Sequence, residues 1–130
     1  MNPLRLPRHL QSALWAHVLR ELPAEGVGVL AAEAPGELRA LYPLSNVAAQ
    51  PQRQYLADPL QLLRALRAME RDHLTLGAIY HSHPHGPARP SETDLLLAGY
   101  RVPYLIADVQ GRVLRAYLLP ENVEVSLTLL

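Results

Sequence analysis

Residues 81–94 read His-Ser-His-Pro-His-Gly-Pro-Ala-Arg-Pro-Ser-Glu-Thr-Asp, and no other stretch of the chain offers His, Asp or Glu at metal-ligand spacing. His81 and His83 stand at i and i+2. Alternate side chains of a strand share a face, so a strand reaching His83 sets two imidazoles side by side. After seven residues comes Ser91, and after two more Asp94. Two neutral imidazoles and one carboxylate form the ligand set of many catalytic zinc sites and leave a fourth position for water. Structural zinc usually wants a fourth ligand, most often cysteine, and the chain has none. A metal here therefore points to catalysis. Each part also has a plainer reading. His81 and His83 can be two unrelated polar residues. Ser91-x-x-Asp94 before an apolar run is a capping-box-like pattern, with Ser91 as N-cap and Asp94 at N3. A capped helix start can still hold Asp94 at a metal. His85 has no partner at ligand spacing and reads as an exposed loop residue.

These side chains need a strand, a turn and a helix start. The apolar-rich run 74–80 reads as a buried strand leading into His81. Pro84, Gly86, Pro87 and Pro90 end it and stiffen a loop. The loop returns to Ser91 and Asp94 at the start of the element that continues through Leu95, Leu96, Leu97 and Ala98. Upstream, residues 4–6 form a short strand and 7–22 a helix, with Leu10, Leu14, Val18 and Leu22 recurring four apart and Trp15 and Leu19 widening the stripe. Trp15 belongs to the core; His9 and His17 are incidental. Pro23 stops the helix. Strands are expected at 27–32 and 37–42 around a Pro35-Gly36 turn, then a loop from Pro43 to Gln52. Asp58 as N-cap and Pro59 at N1 open a second helix, with Leu62, Leu63, Leu66 and Met69 as its apolar face. Runs 103–109 and 112–119 flank Gln110-Gly111 as a hairpin. Val123, Val125, Leu127 and Leu129 alternate with polar residues as one half-buried last strand. Helices and strands mix without strict βαβ alternation, which predicts one α/β domain over 1–130 with a mixed, largely antiparallel sheet flanked by helices.

Composition narrows the function classes. The 130 residues are 49% hydrophobic, enough for one domain with a real core. Twelve basic residues, all arginine, balance 12 acidic ones. No charge excess points to nucleic acid or a membrane surface. Without cysteine there is no disulfide and no thiol nucleophile. Residues 1–8 lack the apolar core of a signal peptide, and no run is long enough to span a bilayer. A cytoplasmic protein is expected.

The pattern His81-x-His83, Ser91 and Asp94, with Ser82, Pro84 and Pro90 between and beside them, resembles the signature of the JAMM (MPN-plus) zinc metalloproteases, here in a compact prokaryotic stand-alone form. That family carries a glutamate after its first helix in a P-x-E-x-x-G-like context, and Pro23-Ala24-Glu25-Gly26-Val27-Gly28 stands there. Val27 takes the place of a frequent cysteine that is not catalytic. Asn46 and the stretch 53–59 also look like the family's middle segment, so the resemblance covers about residues 10–119. It implies Zn2+ held by His81, His83 and Asp94. It implies Glu25 as general base and proton shuttle, and Ser91 as hydrogen-bond donor to the oxyanion. It implies hydrolysis of the amide bond after the C-terminal Gly-Gly of a ubiquitin-like or sulfur-carrier protein, with room for a homodimer. A non-catalytic scaffold of the same fold is the main alternative, and a two-His, one-carboxylate iron oxygenase a second. Glu25 and Ser91 fit hydrolysis better. A zinc nucleobase deaminase lacks its P-C-x-x-C half here. Arg89, two residues before Ser91, reads either as a solvated loop arginine or as a bidentate reader of a carboxylate on the leaving group.

Overall fold

The computed structural model describes residues 3–130. Met1 and Asn2, at the start of the 1–8 stretch expected to lack a signal-peptide core, lie outside the described residues. The elements are β1 Leu4–Leu6, α1 Arg8–Arg20, β2 Val27–Ala34, β3 Glu37–Leu44, α2 Pro59–Arg71, β4 Thr75–His83, α3 Glu92–Leu97, β5 Tyr104–Asp108, β6 Val113–Leu118, β7 Val123–Val125 and β8 Leu127–Leu129. The strands make one sheet in the order β7-β6-β5-β4-β2-β3-β1-β8. The β2–β3, β2–β4, β5–β6 and β6–β7 pairs are antiparallel, and β4–β5, β1–β3 and β1–β8 are parallel. The expected mixed, largely antiparallel sheet is therefore present. Among the described residues no helix is long and apolar enough to cross a membrane.

Each face of the sheet has its own core. Leu10, Leu14 and Val18 of α1 pack with Leu30, Ala78, Tyr80, Leu105 and Ala116. Ala65 and Met69 of α2 pack on the other face with Val27, Val29, Ile79, Tyr104 and Ile106, where Leu95 of α3 joins them. The helices thus take opposite sides. Strand alternation then decides which face each β4 residue serves: Tyr80 and Ser82 go toward α1, His81 and His83 away from it. The Asp58 carboxylate caps α2 by accepting from the amides of Leu60 at 2.9 Å and Gln61 at 3.2 Å. Such a cap is worth about 1 kcal/mol.

Several expectations need correction. The alternating 123–129 run is two strands, not one. It breaks at Ser126, so that β7 pairs with β6 at one end of the sheet and β8 with β1 at the other. The two ends are therefore one residue apart, and the sheet curls round on itself. Periodicity reports which face a residue occupies and is silent on its partner strand. β3 runs on to Leu44, through Pro43, which pairs with Gly28 while the far side of β3 is unpaired beyond Glu37. Proline is tolerated on such an edge because the missing N–H faces no partner. Leu63 of α2 and Leu19 and Leu22 near the end of α1 are exposed, at 44%, 36% and 42%. These helices bury a narrower stripe than the leucine spacing offers, and Ala65 takes the buried place on α2. Trp15 is half-buried against the core, with the Arg112 guanidinium 5.3 Å from its ring centre. His17 is buried, its Nδ1 2.7 Å from the Tyr80 hydroxyl. It is a structural partner of β4, neither a ligand nor incidental.

Candidate metal and catalytic site

β4 carries His81 and His83 onto the α2 side of the sheet at its C-terminal end. Their Nε2 atoms are 3.2 Å apart. The loop beyond them turns at Gly86, whose φ is +65°, and a Cβ there would collide with the Asp108 carboxylate. That turn brings the Pro87 carbonyl within 2.8 Å of His83 Nδ1. A carbonyl only accepts, so Nδ1 carries the hydrogen and donates it. The lone pair of the neutral ring is then on Nε2 and faces the cluster.

The same loop ends in the capping box foreseen for α3. The Ser91 hydroxyl oxygen accepts from the Asp94 amide at 3.0 Å, and Asp94 Oδ2 accepts from the Ser91 amide at 2.9 Å. That Oδ2 also lies 3.1 Å from Nε2 of both His81 and His83. The capping and ligand readings of Asp94 are therefore satisfied by one geometry. Ser91 Oγ already accepts one bond, so its own O–H remains free to donate.

Glu25 enters from the opposite side, at the mouth of β2. Its amide donates to the Pro51 carbonyl at 2.7 Å, and its carbonyl accepts from Asn46 Nδ2 at 2.9 Å. The next amide, Gly26, donates to Ser82 Oγ at 2.8 Å, and the Ser82 amide returns a bond to the Gly26 carbonyl at 3.0 Å. Val27 pairs with His81 in the sheet. Glu25 is thus fixed by its backbone while its carboxylate stays unengaged: Oε1 is buried with no hydrogen-bond partner among the described residues. Ligand-capable atoms of Glu25, His81 and His83 all lie within 4.8 Å of one another.

Electrostatics follows from this crowding. Burial pushes the Glu25 carboxyl up, His83 pulls it down and Asp94 pushes it up again, with a net value of about 7. Burial also opposes ionisation of Asp94, but its hydrogen bonds with His81 and His83 outweigh that and hold it well below the usual carboxylate range. Burial pushes His81 down against the pull of Asp94, which leaves the ring neutral. For His83 burial is outweighed by the bonds to Asp94 and the Pro87 carbonyl, and its pKa is raised. Without a cation the cluster keeps a proton among donors aimed at one point; a metal ion would displace that proton.

The donor set fits such an ion. Zinc about 2.0–2.1 Å from nitrogen and oxygen ligands in a tetrahedron sets those ligands about 3.3–3.4 Å apart. The three converging atoms of His81, His83 and Asp94 are 3.1, 3.1 and 3.2 Å apart. Asp94 is the carboxylate in contact with both imidazoles, and Glu25 is the one left over. A cavity of about 580 Å3 opens beside them, lined by Glu25, His83, Ser91, Arg53 and Arg89 among others. Both arginines are exposed, and neither has an acidic partner among the described residues. His85 is exposed at the rim, as expected.

All five residues singled out by the sequence pattern therefore meet in one place. Two contributors lacked a role in the sequence. The Tyr55 ring stacks on His81, with centroids 4.3 Å apart and planes 21° from parallel. Asn46 holds the loop that carries it. Both sit in an irregular segment, and apart from the family likeness of the segment no spacing marks them.

Residues 7–120 match the family described as prokaryotic homologues of the JAB domain. A probable TtuB-protein conjugate cleaving protease of Thermus thermophilus is 52% identical over 127 residues, 98% of this chain and 83% of that protein. A desampylase of Haloferax volcanii is 39% identical over 93 residues, 70% of this chain and 67% of that one. A solution structure from Desulfitobacterium hafniense superposes with a TM-score of 0.87 at 28% identity, over 98% of this chain and 92% of that one. The JAB1/MPN domain protein of Archaeoglobus fulgidus has a TM-score of 0.68 at 17% identity over the whole of both chains and shares the fold. With the sheet, its flanking helices and the family match agreeing, the chain belongs to the prokaryotic homologues of the JAB domain.

Proposed function

We propose that this chain is a zinc-dependent JAMM-type peptidase that acts in the cytoplasm as one domain. Its reaction is hydrolysis of the amide bond after the C-terminal Gly-Gly of a ubiquitin-like or sulfur-carrier protein. The observation that carries this reading is a trio of ligand atoms 3.1–3.2 Å apart beside a buried carboxylate whose Oε1 has no partner among the described residues. The relatives support the substrate class, since one is named for cleaving protein conjugates and another as a desampylase.

His81, His83 and Asp94 would hold the ion. When bound, zinc would supply Lewis acidity and lower the pKa of a water toward about 7. Glu25 accepts the proton of the attacking water and delivers it to the leaving amine, a task suited to a group whose pKa lies near the working pH. Burial raises it toward that range, against the pull of a bound cation. The free O–H of Ser91 donates to the oxygen that gains charge in the tetrahedral transition state. Tyr55 covers His81 on the other side and excludes water from it. Two residues without side chains at the end of the substrate tail pass where bulkier ones clash. Arg89 and Arg53, on the cavity wall, suit a leaving group that carries a carboxylate, and Arg89 makes that pair bidentate.

The test is cleavage by the zinc-loaded chain of two substrates: a carrier ending in Gly-Gly-amino acid, and the same carrier linked to a lysine of a second protein. Both should be cut after Gly-Gly, cutting should stop with chelator and return with zinc, and Arg89→Ala should slow the first substrate selectively. A loaded enzyme that cuts neither removes the substrate class. Equal slowing of both leaves Arg89 as general electrostatics.

A further inference from the structure

We propose that Asn46 is a positioning residue for the reaction, its one carboxamide fixing both Glu25 and the Tyr55 cover of His81. This rests on Glu25 being the general base. All four hydrogen-bonding positions of a carboxamide are in use at Asn46. Its Nδ2 donates to the Glu25 carbonyl at 2.9 Å and to the Gln54 carbonyl at 3.0 Å, with Pro51 O further off at 3.4 Å. Its Oδ1 accepts from the amides of Ala48 and Leu56, each at 3.0 Å. The orientation is forced, because turning the amide over would set its oxygen against carbonyls and its NH2 against amide hydrogens.

The contacts have a common geometry. Residues 46–57 form a loop closed by a bridge between Asn46 and Ala57, and the Asn46 side chain fills its interior. One rim of the loop holds Glu25, whose amide is bonded to Pro51 O and whose carbonyl is bonded to Asn46. The other rim holds Tyr55, bracketed by Gln54 O and Leu56 N, both bonded to Asn46. Tyr55 then stacks on His81. The base and the cover of a metal-ligating imidazole come from different parts of the chain and share this single anchor. A misplacement of about 1 Å costs on the order of a hundredfold in rate, so an anchor of this kind acts on turnover more than on substrate affinity.

Two substitutions separate positioning from plain structure. Asn46→Asp keeps an oxygen for Ala48 and Leu56 but puts a second oxygen against the Glu25 and Gln54 carbonyls; Asn46→Ala removes every bond. Zinc stoichiometry, kcat and KM on a Gly-Gly conjugate, and hydrogen exchange of single amides are measured for each. In Asn46→Asp the Ala48 and Leu56 amides should stay protected while the Glu25 amide exchanges at least about tenfold faster. kcat should fall about tenfold to a hundredfold, with KM within about twofold and zinc still bound. Asn46→Ala should add loss of protection at Ala48 and Leu56. A kcat within twofold of wild type, an unchanged Glu25 amide, or a rate loss that tracks lost zinc or lost folded protein overturns the proposal. So does failure of both variants to fold, which makes Asn46 a structural pin. A wild type inactive on every conjugate refutes the reading of the site, while exchange at Glu25 still decides what Asn46 holds.

Discussion

At Glu25 the chain keeps a carboxylate buried, 6% exposed, and offers Oε1 no partner among the described residues. Such a group disfavours its own ionised form. Its folded pKa is raised to about 7, above the unfolded value, so between the two the folded state binds more protons than the unfolded one. Stability of the metal-free protein from this residue is present at acid pH and is lost as pH rises through about 7. Glu25→Gln should therefore melt higher than wild type in the metal-free form at neutral pH, bind zinc normally, and lose turnover by about 10²–10⁴-fold, the usual contribution of a general base. Thermal melts, metal analysis and a rate measurement check the three parts. In wild type, turnover should fall toward acid pH as Glu25 takes up its proton; about 7 is its value in the metal-free cluster. Bound zinc draws that limb to lower pH, and a flat profile from acid to neutral pH contradicts the assignment. Ser91→Ala loses a cap as well as a donor. It should cost about 1 kcal/mol of stability and about 10²-fold in kcat; a loss of stability with no loss of rate would leave Ser91 as a cap alone.

At the scale of elements, β4 is the hinge of the account because its two faces do different work. His81 and His83 face the site, while Tyr80 and Ser82 hold α1 and the Glu25 turn. The ring of Tyr80 fills the space over Gly28 on β2, where a Cβ would fall inside it. Gly28→Ala should therefore destabilise by about 1–3 kcal/mol or more through overpacking. Tyr80→Phe leaves His17 Nδ1 buried without its partner, at a cost of about 1–3 kcal/mol. Urea melts measure both, and a neutral Gly28→Ala would refute the packing described. This strand was legible in the sequence because an apolar run of strand length leads into the i, i+2 histidine pair, and the Ser91 and Asp94 pattern downstream singled that pair out. So was the Asp58-Pro59 start of α2, which is local chemistry. The bonds of Asn46 and the stacking of Tyr55 were not legible as roles, because contacts made across an irregular loop leave no period in the sequence.

For the whole molecule, two apolar cores lie on either side of one curled sheet, whose ends meet at Ser126. The split of the last alternating run into two strands escaped the sequence, since alternation encodes a face and the closure depends on which strands meet. Each core is built of apolar side chains that stay in contact whether or not His81, His83 and Asp94 hold an ion. Chelation should therefore leave the circular dichroism spectrum intact and lower the melting temperature, as loss of a ligand bound to the folded state requires. A cooperative collapse on chelation would mean that the metal, not the two cores, holds the fold.

The most direct measurement takes a Gly-Gly-linked conjugate, incubates it with zinc-loaded wild type and with zinc-loaded Glu25→Gln, and reads the products by mass. Wild type should release a carrier ending in a free Gly-Gly carboxylate, together with the intact amine partner and no other cut, while Glu25→Gln should hold its zinc and leave the conjugate whole. Cleavage at another bond, no cleavage by the loaded wild type, or equal cleavage by both proteins would contradict the account.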